Sequence, residues 1–465
     1  MAADGYTQAG KVDLQELTLF SADGMHTSML PYLIEINIHE DIYSSGLYGN
    51  IVVLDSIGLI NRLTMTGDEY LTIKYDVPGF ENPIHKTFRC YRITDRTFKN
   101  DNSNETYIIH FVSPEVMLDQ LSVVQKSFSG PTNDVIEDIF RNYIMTPRTL
   151  SISDNGGVVA SEEVTELNLF TDVQRKIKFI SPSWSPFHCI NWVAAKTLPE
   201  SSSLNAPNMM FFETTRRFYW ASLEDLIRTQ YEAQVLSGKY VYAPGNVKVD
   251  TTGEVMVDER IFHAPDLPRD FFSIHHIEIS NNVDALSNVQ HGYLASVYHE
   301  LDIGTRTYKE LPYDHADEFS KQFRTAGNKA IGFFSDGSLR NPYNHQVVGF
   351  KHPGLFTGIK DNLNEYASTT LPKRLSQLQD VEQVKVKIDV FGRTDMEVGS
   401  LIYILYPKSG PRDEEDKNKS IQDRFYSGIY VTTAIHHRIN LETYHMTMEA
   451  VKDSWGDVSD GDAAK

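Results

Sequence analysis

Val384, Val386, Ile388 and Val390 alternate with Lys385, Lys387 and Asp389, and this period of two predicts a half-buried strand. Gly392 ends the run. The next stretch, Leu401-Ile402-Tyr403-Ile404-Leu405-Tyr406, is apolar on both faces, as in a strand covered on two sides. Ile429 to Ile435 supplies a third strand. After a turn around Asn440, Tyr444, Met446, Met448 and Ala450 alternate with His445, Thr447 and Glu449. Together these predict a small antiparallel sheet between Val381 and Asp453.

The block has an echo near the N-terminus. Gly67 to Tyr75 parallels Gly399 to Tyr406 with a one-residue difference in spacing, Tyr91-Arg92-Ile93-Thr94 pairs with Tyr430-Val431-Thr432-Thr433, and Glu105-Thr106-Tyr107 and Glu442-Thr443-Tyr444 each open an alternating strand. Duplication of one sheet unit explains the match; two unrelated sheets sharing turn chemistry is the alternative.

Elsewhere the pattern is mixed. Residues 11–30 read as a polar lead-in, Tyr32, Ile34, Ile36 and Ile38 as one face of a first strand, and Ile51-Val52-Val53-Leu54 as a second. Ser113-Pro114 and Ser185-Pro186 are helix starts, and Val135, Ile136, Ile139, Phe140 and Tyr143 form one face of a helix from Thr132 to Ile144. Met210 to Glu213 and Phe218 to Trp220 predict a hairpin, expected to supply the strands missing from the 381–453 block. Ser273 to Ile279 and Gly292 to Tyr298 are further strands, and Leu363 to Gln379 a helix interrupted by Pro372.

The chain has 465 residues, more than one hydrophobic core usually supports, so several domains are expected. The fold class expected is α+β, mainly β. The expected domains are a first β domain at 1–112, a mixed domain at 113–205, a discontinuous second β domain at 206–245 and 377–453, an insertion at 246–376 and a flexible tail at 454–465. Hydrophobic residues make up 41% and charged residues 23%, with 24 Tyr and 24 Phe, which suits strands and interfaces. No run approaches the roughly 20 apolar residues of a membrane span, and Met1 to Gly10 lacks the pattern of a secretory signal. Cys90 and Cys189 read as reduced packing residues. The net charge of −20 without a Lys/Arg cluster argues against tight nucleic-acid binding, though not against DNA as transient cargo.

Candidate chemistry is sparse. His275-His276 and His436-His437 lie in strand-like segments, so the two rings of each pair point to opposite faces and cannot chelate one ion; they read as solvated or loop histidines. The sequence holds no His-Glu-x-x-His, paired Cys-x-x-Cys, Gly-Lys-Ser/Thr or Gly-x-Ser-x-Gly pattern. Asp413-Glu414-Glu415-Asp416 reads as a solvated loop. No catalytic, cofactor-binding or metal-binding residue is therefore expected.

The patterns Val384 to Phe391, Val398-Gly399-Ser400-Leu401, Gly428 to Thr433 and Tyr444 to Met448 resemble the closing sheet of the baseplate hub proteins of contractile-tailed bacteriophages. Ser181 to Trp192, with Phe211-Phe212-Glu213 and Phe218-Tyr219-Trp220, resembles the middle region of that family. The likeness spans about residues 30–453 and rests on diffuse patterns. It implies two tail-tube-like β domains in one chain, the second interrupted by an insertion, and a homotrimer whose six tube-like units match a hexameric tail tube to a trimeric central spike. It further implies a non-enzymatic virion component, assembled in the host cytoplasm without a cofactor. The implied partners are the spike, the tube or its initiator and the baseplate wedges, with no membrane insertion. The charged loop Pro407 to Phe425 is the expected partner contact. The alternatives are a tail-associated cell-wall hydrolase and a hub of a related secretion machine; the latter usually continues into a β-helical spike, whereas this sequence ends soon after the sheet.

Overall fold

The computed structural model describes residues 9–454 apart from 22–23, 64, 81, 99–103, 153–156, 203–205, 243–268, 283, 320, 322–324, 326–339, 351–366, 382, 408–422 and 424. It is mainly antiparallel β, as the alternating patterns predict. One sheet of 13 strands dominates. Its first seven strands are β1 (Asp13–Phe20), β2 (His26–Ser28), β3 (Leu33–Asp41), β4 (Tyr48–Asp55), β5 (Tyr70–Asp76), β6 (Ile84–Phe98) and β7 (Glu105–Val112). The other six are β8 (Gly238–Val241), β9 (His276–Asn282), β10 (Val384–Phe391), β11 (Leu401–Leu405), β12 (Gly428–Ile439) and β13 (Tyr444–Lys452).

The pairing follows one pattern twice. In the N-terminal half the order is β3-β4-β7-β6-β5-β1, with β2 added outside β1; in the C-terminal half it is β9-β10-β13-β12-β11-β8. Every corresponding pair is antiparallel except the last: β1 runs antiparallel to β5, whereas β8 runs parallel to β11. A β-bulge, one extra residue that twists a ladder, marks the same place in each half. Arg89 is the last β6 residue opposite β5, and the β6–β7 register shifts between Cys90 and Arg92. Val431 likewise closes the β11 pairing, and the β12–β13 register shifts between Thr432 and Ala434. The backbone repeats as well: Cys90 N donates to Glu69 O at 2.8 Å and Thr432 N to Ser400 O at 2.9 Å. This geometry sets Tyr91 level with Thr433 and Tyr107 with Met446. The sequence matches of Tyr91 with Tyr430 and Tyr107 with Tyr444 are thus out of register, because short alternating runs match equally well when slid along a strand.

Three expectations from hydrophobic pattern change. Residues 11–30 contain a strand, β1, whose Leu17 and Leu19 are buried. Ile34 is exposed, because a bulge between Leu33 and Glu35 interrupts the alternation. The hairpin Met209–Glu213 and Phe218–Ser222 pairs with Leu167–Leu169 and not with the 381–453 block. Its residues are apolar on both sides: Met210, Phe212 and Ala221 join the core of the large sheet, and Met209, Phe211, Phe218 and Trp220 join a second core with Ile136, Ile139 and Ile190. It is a wall shared by two cores. The strands that extend the C-terminal block are instead β8 and β9, the latter from the stretch read as insertion.

The helices start where Ser-Pro signals placed them, at Pro114–Leu121 and Pro186–Ala194, and Thr132–Tyr143 buries its apolar face. Ala367–Asp380 continues through Pro372. Ala295–Asp302 pairs with Thr307–Asp314 and Gln346–Phe350 in a small separate sheet. Both cysteines are free and buried. No helix among the described residues is long and apolar enough to cross a membrane. Most of the loop Pro407 to Phe425, with Asp413 to Asp416, and the tail from residue 455 lie outside the described residues.

Candidate assembly surface

The two halves are joined by a seam in which β12 of the C-terminal half pairs antiparallel with β3 of the N-terminal half. Ala434 to Ile439 lies opposite Asp41 to Ile36. Alternation sorts the side chains of this seam. Ile36, Ile38, Glu40, Ile435, His437 and Ile439 point into the core and are buried. On the other face His39 and His436 stack at 4.3 Å, and Asn37 Oδ1 lies 2.8 Å from His436 Nε2. The pair His436-His437 does divide between faces, but His437 is 1% exposed and so is not the solvated histidine expected from sequence.

Beneath the seam Glu40 gathers four segments. Its carboxylate accepts hydrogen bonds from Thr215 N at 2.7 Å and Val398 N at 3.3 Å, and stands 3.6 Å from His437 Nε2. His437 Nδ1 in turn lies 2.6 Å from Tyr444 Oη. Burial works against the charge on Glu40, but contact with His437 and the Thr215 donor outweighs it and holds the carboxyl below its ordinary range. The signal for this site was present in sequence: Glu40 falls in phase with Ile36 and Ile38, on the apolar side of its strand. Arg393, fully buried, is held nearby by Asp395 at 2.7 Å and by Tyr240 Oη at 3.2 Å.

A second buried ion pair fastens the N-terminal half to the shared hairpin wall. Glu213 accepts from Lys86 Nζ, from Ser113 Oγ at 2.5 Å and from Leu47 N at 2.9 Å. Burial pushes the Glu213 carboxyl upward while Lys86 pulls it back. Both clusters orient backbone segments. Among the described residues no group of three His, Cys, Asp or Glu side chains is placed to hold a metal ion.

The exterior is where partners can bind. Among the described residues β9 ends the sheet path with one edge unpaired, and β6 beyond Cys90 is paired only on the β7 side. Unpaired edges are templates for strand addition. Beside the β6 bulge a groove of about 200 Å³ is lined by Leu19, Met65, Gly67, Cys90, Tyr91 and Ile109, with Tyr91 itself exposed.

No protein-family model matches the chain, and no curated protein matches it in sequence. Solved structures do match in shape. A tail protein from Neisseria meningitidis MC58 aligns over 95% of this chain and 97% of its own, with a TM-score of 0.51 and 10% identity. The 43 kDa tail protein of prophage MuSo2 from Shewanella oneidensis aligns over 94% and 98%, with a TM-score of 0.48 and 8% identity. An Escherichia coli type VI secretion component described as similar to phage tail proteins aligns over 96% and 78%, with a TM-score of 0.42 and 7% identity. With its near full-length match to the Neisseria protein, this chain has the fold of that tail protein.

Proposed function

We propose that the chain is a structural baseplate hub, three copies of which form a ring that joins a hexameric tail tube to a trimeric central spike and borders the channel through which DNA leaves. The observation that carries this reading is the strand order shared by the two halves. A chain with two similar units lets three copies present six similar surfaces, which solves the mismatch between a sixfold and a threefold partner. In this reading the tube-like units are β1–β7 and β8–β13, the mixed domain holds the second core, and the remainder of 246–376 is an insertion. Its partners are the spike, the tube or its initiator and the baseplate wedges. The role is non-enzymatic, and the setting is the virion. The net charge of −20 suits a conduit that must release phosphates and not grip them.

Light scattering on the purified chain, alone and with its spike partner, tests the reading. The expected mass is three times 52.9 kDa, plus the spike where present. A monomer that persists with the spike bound overturns the ring.

A further inference from the structure

The seam inside the chain joins β12 of the C-terminal half to β3 of the N-terminal half. The counterparts of these strands are β6 and β9, and among the described residues each keeps an unpaired edge, as β2 and β8 also do. We propose that β6 of one copy pairs antiparallel with β9 of the next, repeating between copies the seam that β12 and β3 make within one. This deepens the ring reading and rests on it.

The ladders fix the register. The shared bulge makes Cys90–Phe111 the counterpart of Thr432–Ala450. Two residues along, Ile109 corresponds to Met448; their neighbours are Ile51 and Ile388, and the neighbours of those are Ile36 and Ile277. Ile36 and Ile38 therefore correspond to Ile277 and Ile279. At the other edge, Ile439 pairs with Tyr444 as Phe98 pairs with Glu105, so Phe98 corresponds to Ile439 and Thr97 to Arg438. Carried across from the inner seam, Phe98 falls opposite Ile277 and Thr97 opposite Glu278.

Two independent features fit this pairing. The first is a deficit of burial. Ile36 and Ile38 are 0% exposed in the inner seam, and Ile435 is 1% exposed. Their counterparts Ile277, Ile279 and Ile93 are only partly buried, at the margin of the core, and Phe98 is 62% exposed where Ile439 is buried. Apolar side chains at these levels lack the cover that a neighbouring strand supplies inside the chain. The second is a matched irregularity. β6 carries one extra residue between Thr94 and Thr97, with Asp95 at a φ of 54°, and β9 carries one between Ile279 and Asn281. The inner seam runs without a shift from Ala434 to Ile439. The two extra residues lie at the same level, so they offset each other and bring Thr94 opposite Asn281. Charge agrees with the placement: Glu278 is exposed on β9 and Arg92 on β6, while Arg96 is held by Glu105 of β7.

Opposed residues of an antiparallel pair have Cα atoms about 4.5–5.5 Å apart, within reach of a disulfide. The full-length double variant Thr97→Cys/Glu278→Cys, oxidised with diamide, is expected to give covalent dimers and trimers on a non-reducing gel, and each single variant only monomer. Phe98→Asp in the otherwise native chain, at a side chain 62% exposed, is expected to weaken self-association about tenfold or more while leaving the circular dichroism melt unchanged. Trimers by light scattering without the covalent ladder overturn the pairing and leave the ring standing. A ladder that runs beyond three copies supports the pairing and overturns the closed ring. Monomer throughout, with no ladder, overturns both.

Discussion

Glu40 shows what one buried side chain does here. It is the acceptor for two backbone donors from separate loops and faces His437 across the seam. Glu40→Ala leaves those two donors without an acceptor and removes the carboxylate beside the imidazole, and the expected loss is about 3 kcal/mol of unfolding free energy, read as a lower urea midpoint. Glu40→Gln keeps one acceptor oxygen and is expected to lose less. On the opposite face, burial and then the neighbouring His39 lower the pKa of His436 to about 4. The folded chain thus resists a proton that the unfolded chain accepts from pH 6.5 downward. Stability is expected to fall as pH drops from about 6.5 to about 4, and His436→Asn should flatten that slope in melting curves recorded across the window. The Glu in phase with two Ile was legible in the sequence; its partners were not, because Thr215, Val398 and His437 are far away along the chain and meet only through the sheet.

At the scale of the element, the seam depends on close approach between β3 and β4. A Cβ on Gly49 would lie 2.4 Å from the Phe111 ring and 2.5 Å from the Asn37 carbonyl oxygen. Backbone oxygen cannot move aside without parting the strands, so Gly49→Ala is expected to cost about 2–3 kcal/mol, measurable by chemical denaturation. The counterpart of Gly49 is Val386, so the second half accepts a side chain where the first does not. Strands with clean alternation, such as β10 and β13, were readable at once. β1 and Ile34 were not, since a strand edge beside a bulge does not keep period two. The hairpin 209–220 reads in sequence as part of the 381–453 block, but an apolar run does not say which neighbours cover it; here two cores share it.

At the scale of the molecule, duplication was visible as recurring spacing, whereas its register was not. Short matches slide by two or three residues at little cost, and only the bulges at Tyr91 and Thr433 pin them. The ring is likewise a statement about symmetry, and the mass expected for three copies tests it at that level. The stretch from residue 246 to 376 reads as one insertion only if the hairpin 209–220 belongs to the 381–453 block; the hairpin pairs elsewhere, and β9 within the stretch completes the second half.

The halves differ most at their last strand. β1 enters antiparallel to its neighbour and β8 enters parallel, so the chain reaches the sheet from opposite ends in the two cases. The helix Leu223–Glu232, which leads into β8, sets Gln230 against Gly399 O and Leu401 N, at 2.8 and 2.9 Å. In the proposed ring this reversal would recur at every second unit. Its six near-copies would then alternate between two kinds of unit, so that the ring keeps threefold and not sixfold symmetry.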